Sequence, residues 1–522
     1  MSQAHALSAA IVAASQTTVG ALFRASARVR PNAIALEHGR LQRTYGELLD
    51  RVQRLAQGLA SLGITRGDRV ALLAHNRMEY PEVELAAGML GAATACLNWR
   101  LIAREQQHCI NLVEPKLLIL EEGLEASLTG LALAPHGRLR LGPQYEALLA
   151  GMPARDVPIL AGPEDGLVIV YTSGTTGLPK GAVVSHRAMQ ARSLLFASDL
   201  GLAPDDAFVA WAPYFHMAST DQSLATLLRG GTVVIVDGYQ AGPMIEAAQR
   251  HRIGWYVLIP GMIDGFIKAL ADANARPLGI RACGAMADLV PPQQIADVTR
   301  MLGAPYLNSF GSTETGLPPA SRALLTIGEM PKSLSKLQSS FCEVKLVDAH
   351  DREVGTGSPG EVAFRGATLF SGYWNAAEAN AKDFRGGWFH MGDVMRRNAD
   401  GSLDFVDRAK YMIKTGGENV YPAEIEKVLM GEPRVLDVAV VRARDDRWGE
   451  APVAFVATRD ASLTANDLQA RCRAELASYK RPREVHFIAF EDFPRSTTGK
   501  IQRHELEARL ARAEAERSSR AP

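Results

Sequence analysis

Apolar positions along residues 18–160 change from helical to strand-like spacing and back, which predicts alternating helices and strands. The segment after Thr44, which we expect to cap a helix, repeats apolar residues with helical spacing at Leu48, Val52, Leu55 and Leu59. Short apolar runs predict buried strands at 68–74 and 116–120. The longer apolar stretch from Glu79 to Leu97 predicts a buried helix.

The same alternation continues further along the chain and then gives way to another pattern. Strands are predicted at 207–211, 231–236 and 255–259, with helical segments between them. Strands that alternate with helices are typical of α/β layers around a largely parallel sheet. From 338 to 405 the sequence is rich in strand and turn signals, which predicts a small β-subdomain.

A second, smaller domain is predicted after a boundary near 407–411. Its elements are expected to be a helix that begins with Pro422, strands at 437–441, 453–456 and 484–488, and a helix at 464–476. We therefore predict an α/β protein with two domains. The N-terminal domain at 1–407 would hold layered α/β sheets plus the β-subdomain, and the C-terminal domain at 408–522 would be α+β.

Composition narrows the class of protein. A chain of 522 residues exceeds what one hydrophobic core supports, which favours two or more domains. Its 57 basic and 57 acidic residues cancel, so no overall charge draws it to nucleic acid or to an anionic membrane. The five cysteines lack metal-ligand spacing, which favours free thiols in a reducing compartment. No secretion signal opens the sequence and no stretch is apolar enough to span a bilayer, so we expect a cytoplasmic protein.

The stretch Tyr171-Thr-Ser-Gly-Thr-Thr-Gly-Leu-Pro-Lys-Gly181 carries the strongest chemical signal. A buried strand is predicted just before it, and Ser185 is placed to cap a helix just after it. Strand, Gly/Ser/Thr loop and helix together can surround phosphate oxygens with N–H groups and hydroxyls. The Walker A pattern does not fit, because Pro179 stands where a glycine should precede Lys180. A flexible turn is the alternative for such a loop.

These eleven residues resemble the phosphate-binding loop of the adenylate-forming, acyl-activating enzymes, which include acyl-CoA synthetases, adenylation domains of peptide synthetases and beetle luciferases. Five further stretches between residues 35 and 503 resemble the same family in the same order. The resemblance implies ATP, Mg²⁺ and coenzyme A as ligands. It assigns the phosphates to Thr172, Ser173, Gly174, Thr175, Thr176 and Lys180, with Thr176 also near the metal.

The stretch Asn308-Ser-Phe-Gly-Ser-Thr-Glu-Thr-Gly316 resembles the family segment that stacks on adenine. The resemblance implies nucleotide contacts from Gly284, Ala285, Asn308, Ser309, Phe310 and Gly311. It also makes Thr313 a phosphate ligand and Glu314 the metal-linked carboxylate. Phe310 stands where the family commonly has tyrosine, so stacking is kept and a hydroxyl contact is lost. By itself, Ser-Thr-Glu also fits a helix-capping pattern.

Further matches lie nearer the C-terminus. The stretch 387–393 resembles the motif whose aspartate, here Asp393, binds the ribose hydroxyls. The stretch 404–417 resembles the hinge, with Phe405 and Arg408 at the nucleotide and Lys410 as the pivot of a mobile small domain; Asp407 replaces a usual glycine. Gly416 and Gly417, with Trp448, resemble the border of the pantetheine tunnel, although a simple turn also fits Trp448.

Two single residues complete the predicted site. Lys500, in Pro494-Arg-Ser-Thr-Thr-Gly-Lys-Ile-Gln-Arg503, resembles the catalytic lysine of the family, against the alternative of a solvated surface lysine. His216 aligns with a position that lines the carboxylate end of the acyl pocket, although an ordinary packed histidine is the alternative. The predicted catalytic residues are thus Lys500, Glu314, Thr313 and His216.

The resemblance implies an ATP-dependent acyl-CoA ligase that forms an acyl-adenylate and then transfers the acyl group to CoA. No Arg or Lys adjoins His216, so a monocarboxylic acid, fatty or aromatic, is expected. The nearest alternative is an adenylation enzyme that loads a carrier-protein phosphopantetheine. A luciferase-like enzyme and a non-catalytic nucleotide sensor are more distant ones. A homodimer is possible, and neither a nucleic-acid partner nor an integral membrane segment is expected.

Overall fold

The computed structural model describes residues 11–134, 137–153, 155–172, 178–415, 418–445, 448–495 and 501–520. The helices are α1 (Val19–Val29), α2 (Tyr45–Ser61), α3 (Glu79–Leu90), α4 (Ala103–Val113), α5 (Pro143–Ala150), α6 (His186–Leu200), α7 (Met217–Arg229), α8 (Ala241–Arg250), α9 (Ile263–Asp272), α10 (Pro292–Leu302), α11 (Ala377–Asp383), α12 (Pro422–Met430), α13 (Ala465–Glu475) and α14 (Arg503–Arg520).

The strands are β1 (Ile34–His38), β2 (Leu41–Thr44), β3 (Arg69–Leu73), β4 (Ala93–Cys96), β5 (Leu117–Leu120), β6 (Gly137–Arg140), β7 (Gly166–Thr172), β8 (Lys180–Ser185), β9 (Ala207–Ala210), β10 (Val233–Ile235), β11 (Ile253–Tyr256), β12 (Ile280–Cys283), β13 (Tyr306–Asn308), β14 (Gly311–Ser312), β15 (Gly316–Pro319), β16 (Ala323–Leu325), β17 (Cys342–Val347), β18 (Pro359–Gly366), β19 (Phe384–Arg385), β20 (Trp388–Arg397), β21 (Leu403–Arg408), β22 (Ile413–Thr415), β23 (Glu418–Val420), β24 (Val435–Asp445), β25 (Gly449–Thr458) and β26 (Glu484–Phe487).

Two compact units divide the chain by their internal contacts. The first comprises 1–344 and 364–389, and the second 345–363 and 390–522. This division assigns 390–407 to the second unit, whereas the boundary predicted from the sequence lies near 407–411. The extent of a mobile domain therefore stays a prediction. The mixed α/β class with several sheets is confirmed.

The first unit contains two mainly parallel sheets. One has six strands in the order β6-β5-β3-β4-β7-β8, and only β8 runs antiparallel to its neighbour. The other has eight strands in the order β16-β13-β12-β11-β9-β10-β1-β2, with antiparallel strands at its two edges. Loops that follow parallel strands therefore gather at one edge of each sheet, where ligands bind in such folds.

Local sequence explains the helix starts that were predicted. The Thr44 hydroxyl oxygen accepts a hydrogen bond from the Glu47 backbone N–H, the Glu47 carboxylate accepts one from the Thr44 backbone N–H, and this capping box begins α2. The four predicted apolar positions of α2 are fully buried. Ser185 caps α6 as predicted, and Pro422 takes the first turn of α12.

The predicted helix from Glu79 to Leu97 is wrong in its second half. Helix α3 ends at Leu90, Gly91 adopts a left-handed conformation with φ of 75°, and the chain then forms β4. Both parts are buried on every side, so their apolar residues have no periodicity that separates helix from strand. Gly91 supplies the positive φ that a chain reversal at a helix end needs.

The predicted strand–loop–helix after Gly166 is also corrected. Residues Lys180–Ser185 form β8, which pairs antiparallel with β7, so that Thr172 and Lys180 lie opposite each other. The loop 172–181 therefore belongs to a β-hairpin, and α6 begins only after the second strand. Consecutive Val183 and Val184 suit a strand better than a helix.

The remaining strands form smaller sheets. Strands β17 to β21 make a five-stranded sheet. In the second unit, β24 and β25 form a long antiparallel pair, and β26 runs parallel to β25. Apolar residues from these strands and from α12 and α13 make a separate core in this unit.

Two further observations concern the whole described chain. None of its described helices is long and apolar enough to cross a membrane. All five cysteines are free; Cys96, Cys109, Cys283 and Cys472 are buried, and Cys342 is half-buried.

Candidate active site

The hairpin of β7 and β8 presents its loop from a firmly paired base. A short extended segment at 371–374 lies against the outer side of β8. The Val183 N–H donates to the Gly372 carbonyl at 3.0 Å, and the Trp374 N–H donates to the Gly181 carbonyl at 2.8 Å. The predicted phosphate ligands Ser173, Gly174, Thr175 and Thr176 lie outside the described residues. Both ends of their loop, Thr172 and Lys180, are fixed by these strands.

Lys180 lies over an aromatic ring. Its ammonium nitrogen is 3.7 Å from the centroid of the Tyr373 ring and 3.7 Å from Oδ2 of Asp383. A ring face attracts a cation without removing the N–H donors from other acceptors. Lys180 remains partly exposed, so its charge is available to an anion.

Tyr373 also contacts the predicted metal-linked carboxylate. Its hydroxyl donates to Oε1 of Glu314 at 2.7 Å. Asn380 holds the Tyr373 main chain on both sides, since it accepts from the N–H at 2.7 Å and donates to the carbonyl at 2.8 Å. Lys180 and Glu314 are thus brought to the same tyrosine. Tyr373 was not predicted from the sequence, and nothing in its local pattern indicates this role.

Thr313 and Glu314 occupy the turn between β14 and β15. This hairpin excludes the alternative that Ser-Thr-Glu caps a helix. The Phe370 N–H donates to the Glu314 carbonyl at 2.8 Å. A Cβ added at Gly311 would lie 2.1 Å from the Gly316 carbonyl oxygen, so the close approach of the two strands requires glycine there.

Arg192, on α6, holds this turn from behind. Its guanidinium donates to the carbonyls of Thr313 at 2.9 Å and of Glu314 at 3.1 Å. It also donates to the Thr368 carbonyl at 3.0 Å and pairs with Asp221 at 2.9 Å. Both charged side chains are at most 4% exposed. Burial raises the pKa of Asp221, and the arginine beside it opposes that rise.

The loop after β12 is shaped by a glycine. Gly284 has φ of +78°, and an added Cβ would lie 2.1 Å from the Tyr306 ring. The Tyr306 hydroxyl donates to the Ala285 carbonyl at 2.9 Å. The Met286 N–H donates to Oγ of Ser309 at 3.3 Å. The predicted adenine segments, 284–285 and 308–311, are therefore neighbours.

The predicted nucleotide residues at the second segment differ in exposure. Asn308 is fully buried, and its amide donates to the Leu334 carbonyl at 2.7 Å. Ser309 is buried as well, whereas Phe310 is half-buried and Gly311 is exposed. The Phe310 N–H donates to Oγ of Ser321 at 3.0 Å, which fixes the main chain beside the ring.

His216 begins a helix. Its Nδ1 accepts from the Ala218 N–H at 3.2 Å, so the imidazole caps α7. The preceding loop is organised by buried Asn76, whose amide donates to the Ala212 carbonyl at 2.8 Å and accepts from the Tyr214 N–H at 3.0 Å. The half-buried ring of His216 keeps a fixed position at the end of this loop.

The predicted ribose and hinge residues lie in the second unit. Arg408 and Asp393 form an ion pair at 2.8 Å, with Asp393 almost fully buried. Asp407 accepts from the N–H groups of Arg408 at 2.6 Å and Ala423 at 2.8 Å, and burial raises its pKa. The carboxylate of Asp407 therefore caps α12, which a glycine at this position could not do.

The other predicted residues of this unit lie at the predicted hinge, on β21 and next to β25. Lys410 is exposed, its ammonium is 4.7 Å from the Tyr411 ring centroid, and its carbonyl accepts from Arg442. Phe405 is half-buried on β21, and Trp448 is 49% exposed before β25. Gly416, Gly417 and Lys500 lie outside the described residues.

Comparison with known proteins agrees with this arrangement. The family model for AMP-binding enzymes matches residues 23–374, and the model for their C-terminal domain matches 424–500. A feruloyl-CoA synthase of Amycolatopsis sp. is 35% identical over 490 residues, which cover 93% of this chain and 97% of that protein. An indoleacetate–CoA ligase of Aromatoleum aromaticum is 31% identical over 503 residues, with 93% and 97% covered.

A solved structure is similar over the same length. The fatty acyl CoA synthetase of Mycobacterium tuberculosis superposes with a TM-score of 0.77 at 27% identity, covering 95% of this chain and 99% of that one. The two family models and these relatives together match most of the sequence. The chain therefore belongs to the AMP-binding enzymes, the adenylate-forming superfamily that includes the acyl-CoA synthetases.

Proposed function

We propose that this enzyme joins an aromatic monocarboxylic acid to coenzyme A, with ATP converted to AMP and pyrophosphate. The observation that carries the proposal is the grouping of Lys180, Tyr373 and Glu314 at the mouth of the β7–β8 hairpin. The Tyr373 ring contacts the ammonium group of Lys180, and its hydroxyl contacts the carboxylate of Glu314. A cation and a carboxylate this close together suit a site that must bind both a polyphosphate and its metal ion.

A carboxylate resists attack by a thiol because it is anionic and its oxygen leaves poorly. Attack of the carboxylate on the α-phosphorus of ATP forms an acyl-adenylate, expels pyrophosphate and makes AMP the next leaving group. Several anions must then lie close together, so the protein has to supply positive charge and oriented donors. In our proposal Lys180 and the loop 172–181 hold the β- and γ-phosphates, and Lys500 bridges the carboxylate and the α-phosphate.

Magnesium fits the donor set around Glu314. Mg²⁺ is usually bound through one or two carboxylates together with substrate phosphates, and it neutralises charge on the phosphates. Oε1 of Glu314 accepts from Tyr373, which fixes the orientation of the carboxylate. Tyr373 would thus keep the carboxylate oriented towards the metal.

The second half-reaction needs a different arrangement of groups. In our proposal the small domain rotates about Lys410, which withdraws Lys500 and brings Gly416, Gly417 and Trp448 to the pantetheine arm. Thioester formation then releases AMP. Asp393 and Arg408 would keep the ribose and phosphate bound through both steps.

The curated relatives favour an aromatic acid over a fatty one. Two of them, at 35% and 31% identity, are named for a hydroxycinnamic and an indole-acetic substrate. A fatty acid is the second candidate, because the structural relative at 27% identity is a fatty acyl CoA synthetase. In the sequence, no arginine or lysine stands next to His216, which favours a monocarboxylic acid.

The decisive experiment measures pyrophosphate release over a panel of carboxylic acids, with and without CoA. Hydroxycinnamic and arylacetic acids should give kcat/KM at least about tenfold above saturated fatty acids, because one misfitting group in an apolar pocket costs roughly 1–3 kcal/mol. Fatty acids that react faster would overturn the aromatic assignment. Transfer to a carrier-protein phosphopantetheine but never to CoA would favour the carrier-loading alternative.

A further inference from the structure

A lysine with no exposed surface lies behind the predicted adenine segments. Lys336 is 0% exposed, although it belongs to an irregular stretch between β16 and β17. Its ammonium nitrogen is 2.5 Å from Oδ2 of Asp288 and 2.8 Å from Oδ1 of Asn308. Lysines are almost never fully buried without partners, since removing the charge from water is costly.

The two partners belong to different loops. Asp288 lies in the turn at Ala287–Leu289, directly after the Gly284–Met286 loop that follows β12. Asn308 ends β13 and opens the segment 308–311. Lys336 therefore joins the carboxyl ends of two neighbouring strands through one ammonium group.

The same contacts fix the orientation of Asn308. Its NH₂ group donates to the Leu334 carbonyl at 2.7 Å, and its oxygen accepts from Lys336 at 2.8 Å. With both ends of the amide engaged, the Asn308 side chain supports its loop. The Met286 N–H and Ser309 hydroxyl, 3.3 Å apart, form a second tie between the two loops.

An apolar side chain could fill the same volume without the cost of burying a charge. A methionine at position 336 would leave Asn308 Oδ1 without this donor, and Asp288, which is 31% exposed, would turn towards water. The two loops would then lose the group that sets their spacing. A purine sandwiched between loops depends on that spacing to within a fraction of an ångström.

We propose that Lys336 is a positioning residue for the nucleotide base, which it serves by holding the loops 284–288 and 308–311 at a fixed separation. This inference rests on the proposed function, because it takes those loops as the base-binding site. Lys336 contacts neither the phosphates nor the carboxylic acid in this account. Loss of Lys336 should weaken the binding of AMP, ADP and ATP by the same factor. It should leave kcat nearly unchanged.

The test is equilibrium binding of AMP and ATP to Lys336→Met, together with steady-state kinetics. We expect both dissociation constants and the KM for ATP to rise about tenfold to a hundredfold, the range that a displacement of about 1 Å produces. We expect kcat to stay within about threefold. The matched control is Lys332→Met, an exposed lysine in the same stretch, which should bind AMP like the wild type.

A second variant covers the case in which Lys336→Met fails to fold. Asp288→Asn neutralises the more exposed partner only, and it should weaken AMP binding by a smaller factor. The double variant should be no worse than Lys336→Met alone, because both changes break one contact. A folded Lys336→Met with wild-type AMP affinity would overturn the inference and leave the proposed function intact. A wild-type protein that binds no AMP would overturn both.

Discussion

At the scale of single residues, the site depends on side chains that hold its loops and its predicted ligand-binding residues in place. Arg192 uses its donors on three backbone carbonyls and one buried carboxylate, and two of those carbonyls belong to Thr313 and Glu314. Tyr373 and Lys336 act in the same way on Glu314 and Asn308. Each of these residues holds a short loop in place through contacts that come from elsewhere in the sequence.

Replacing Arg192 by Met should harm both folding and the first half-reaction. Asp221 would become a buried charge without its partner, which typically destabilises a protein by about 3–5 kcal/mol. Guanidinium unfolding should detect this loss, and ATP–pyrophosphate exchange should fall about a hundredfold as the Thr313–Glu314 turn loosens.

The matched control is Arg140→Met, since Arg140 makes a comparable ion pair with Glu125 at 2.8 Å on the surface. That change should cost no more than about 1 kcal/mol. Adding Asp221→Asn to Arg192→Met should restore part of the stability. If Arg192→Met unfolds like the control, the buried pair does not stabilise the fold.

At the scale of elements, hairpins carry the two predicted phosphate segments. The β7–β8 hairpin bears Lys180, and the β14–β15 hairpin bears Thr313 and Glu314. A hairpin fixes both ends of its loop, whereas a strand–loop–helix fixes one end by pairing alone. Glycine is needed where the strands of the second hairpin approach each other.

Gly311→Ala should therefore abolish activity with limited loss of overall structure. The new Cβ would lie 2.1 Å from the Gly316 carbonyl oxygen, so β14 and β15 must separate and carry Thr313 and Glu314 with them. Gly355→Ala is the control, because nothing lies within 4 Å of its Cβ. Circular dichroism and ATP–pyrophosphate exchange measure the two effects; unchanged exchange in Gly311→Ala would show that the turn tolerates displacement.

Sequence alone predicted those elements whose signals are local. The caps Thr44 and Ser185, the proline start of α12 and most short strands needed only neighbouring residues. The end of α3 was missed, because fully buried segments lack the polar positions that reveal periodicity. The strand β8 was missed because it is only six residues long and leads directly into the helix that Ser185 caps. The motif residues were found by resemblance, and the structure brings Lys180 and Glu314 to one tyrosine.

The residues that support the site could not be predicted in the same way. Arg192 acts on partners more than a hundred positions away, at 313 and 314. Its only local signal is helical spacing on the buried face of α6 with Met189 and Phe196. Lys336 lies in a stretch without regular structure, so no periodicity marked it as buried. Such contacts are set by tertiary packing and leave no pattern in nearby sequence.

At the scale of the whole molecule, the chain divides its predicted functions between two units. The first holds Lys180, Glu314 and the adenine loops, and the second holds Asp393, Arg408 and the pivot Lys410. The rotation of the small domain remains our proposal. With such a rotation, one mutation can block the first half-reaction and spare the second. In a rigid site the same groups would serve both steps.

Lys500→Ala should abolish adenylation and spare thioester formation from supplied acyl-adenylate. Loss of one preorganised charge at a transition state costs on the order of 3 kcal/mol, or about a hundredfold or more in rate. ATP–pyrophosphate exchange measures the first half-reaction, and CoA acylation from synthetic adenylate measures the second. Lys427→Ala, at an exposed position on α12, should leave both unchanged. Equal loss of both in Lys500→Ala would contradict the rotation.

The burial of the cysteines matters in an enzyme that forms an activated acyl group, because free thiols can react with that group. An acyl-adenylate acylates thiolates, and burial raises the pKa of Cys283 to about 12 and of Cys472 to about 11. Burial likewise raises the pKa of Cys96, Cys109 and Cys342. Burial and a raised pKa both disfavour the thiolate, so we expect these five thiols to compete poorly with the incoming thiol for the activated acyl group.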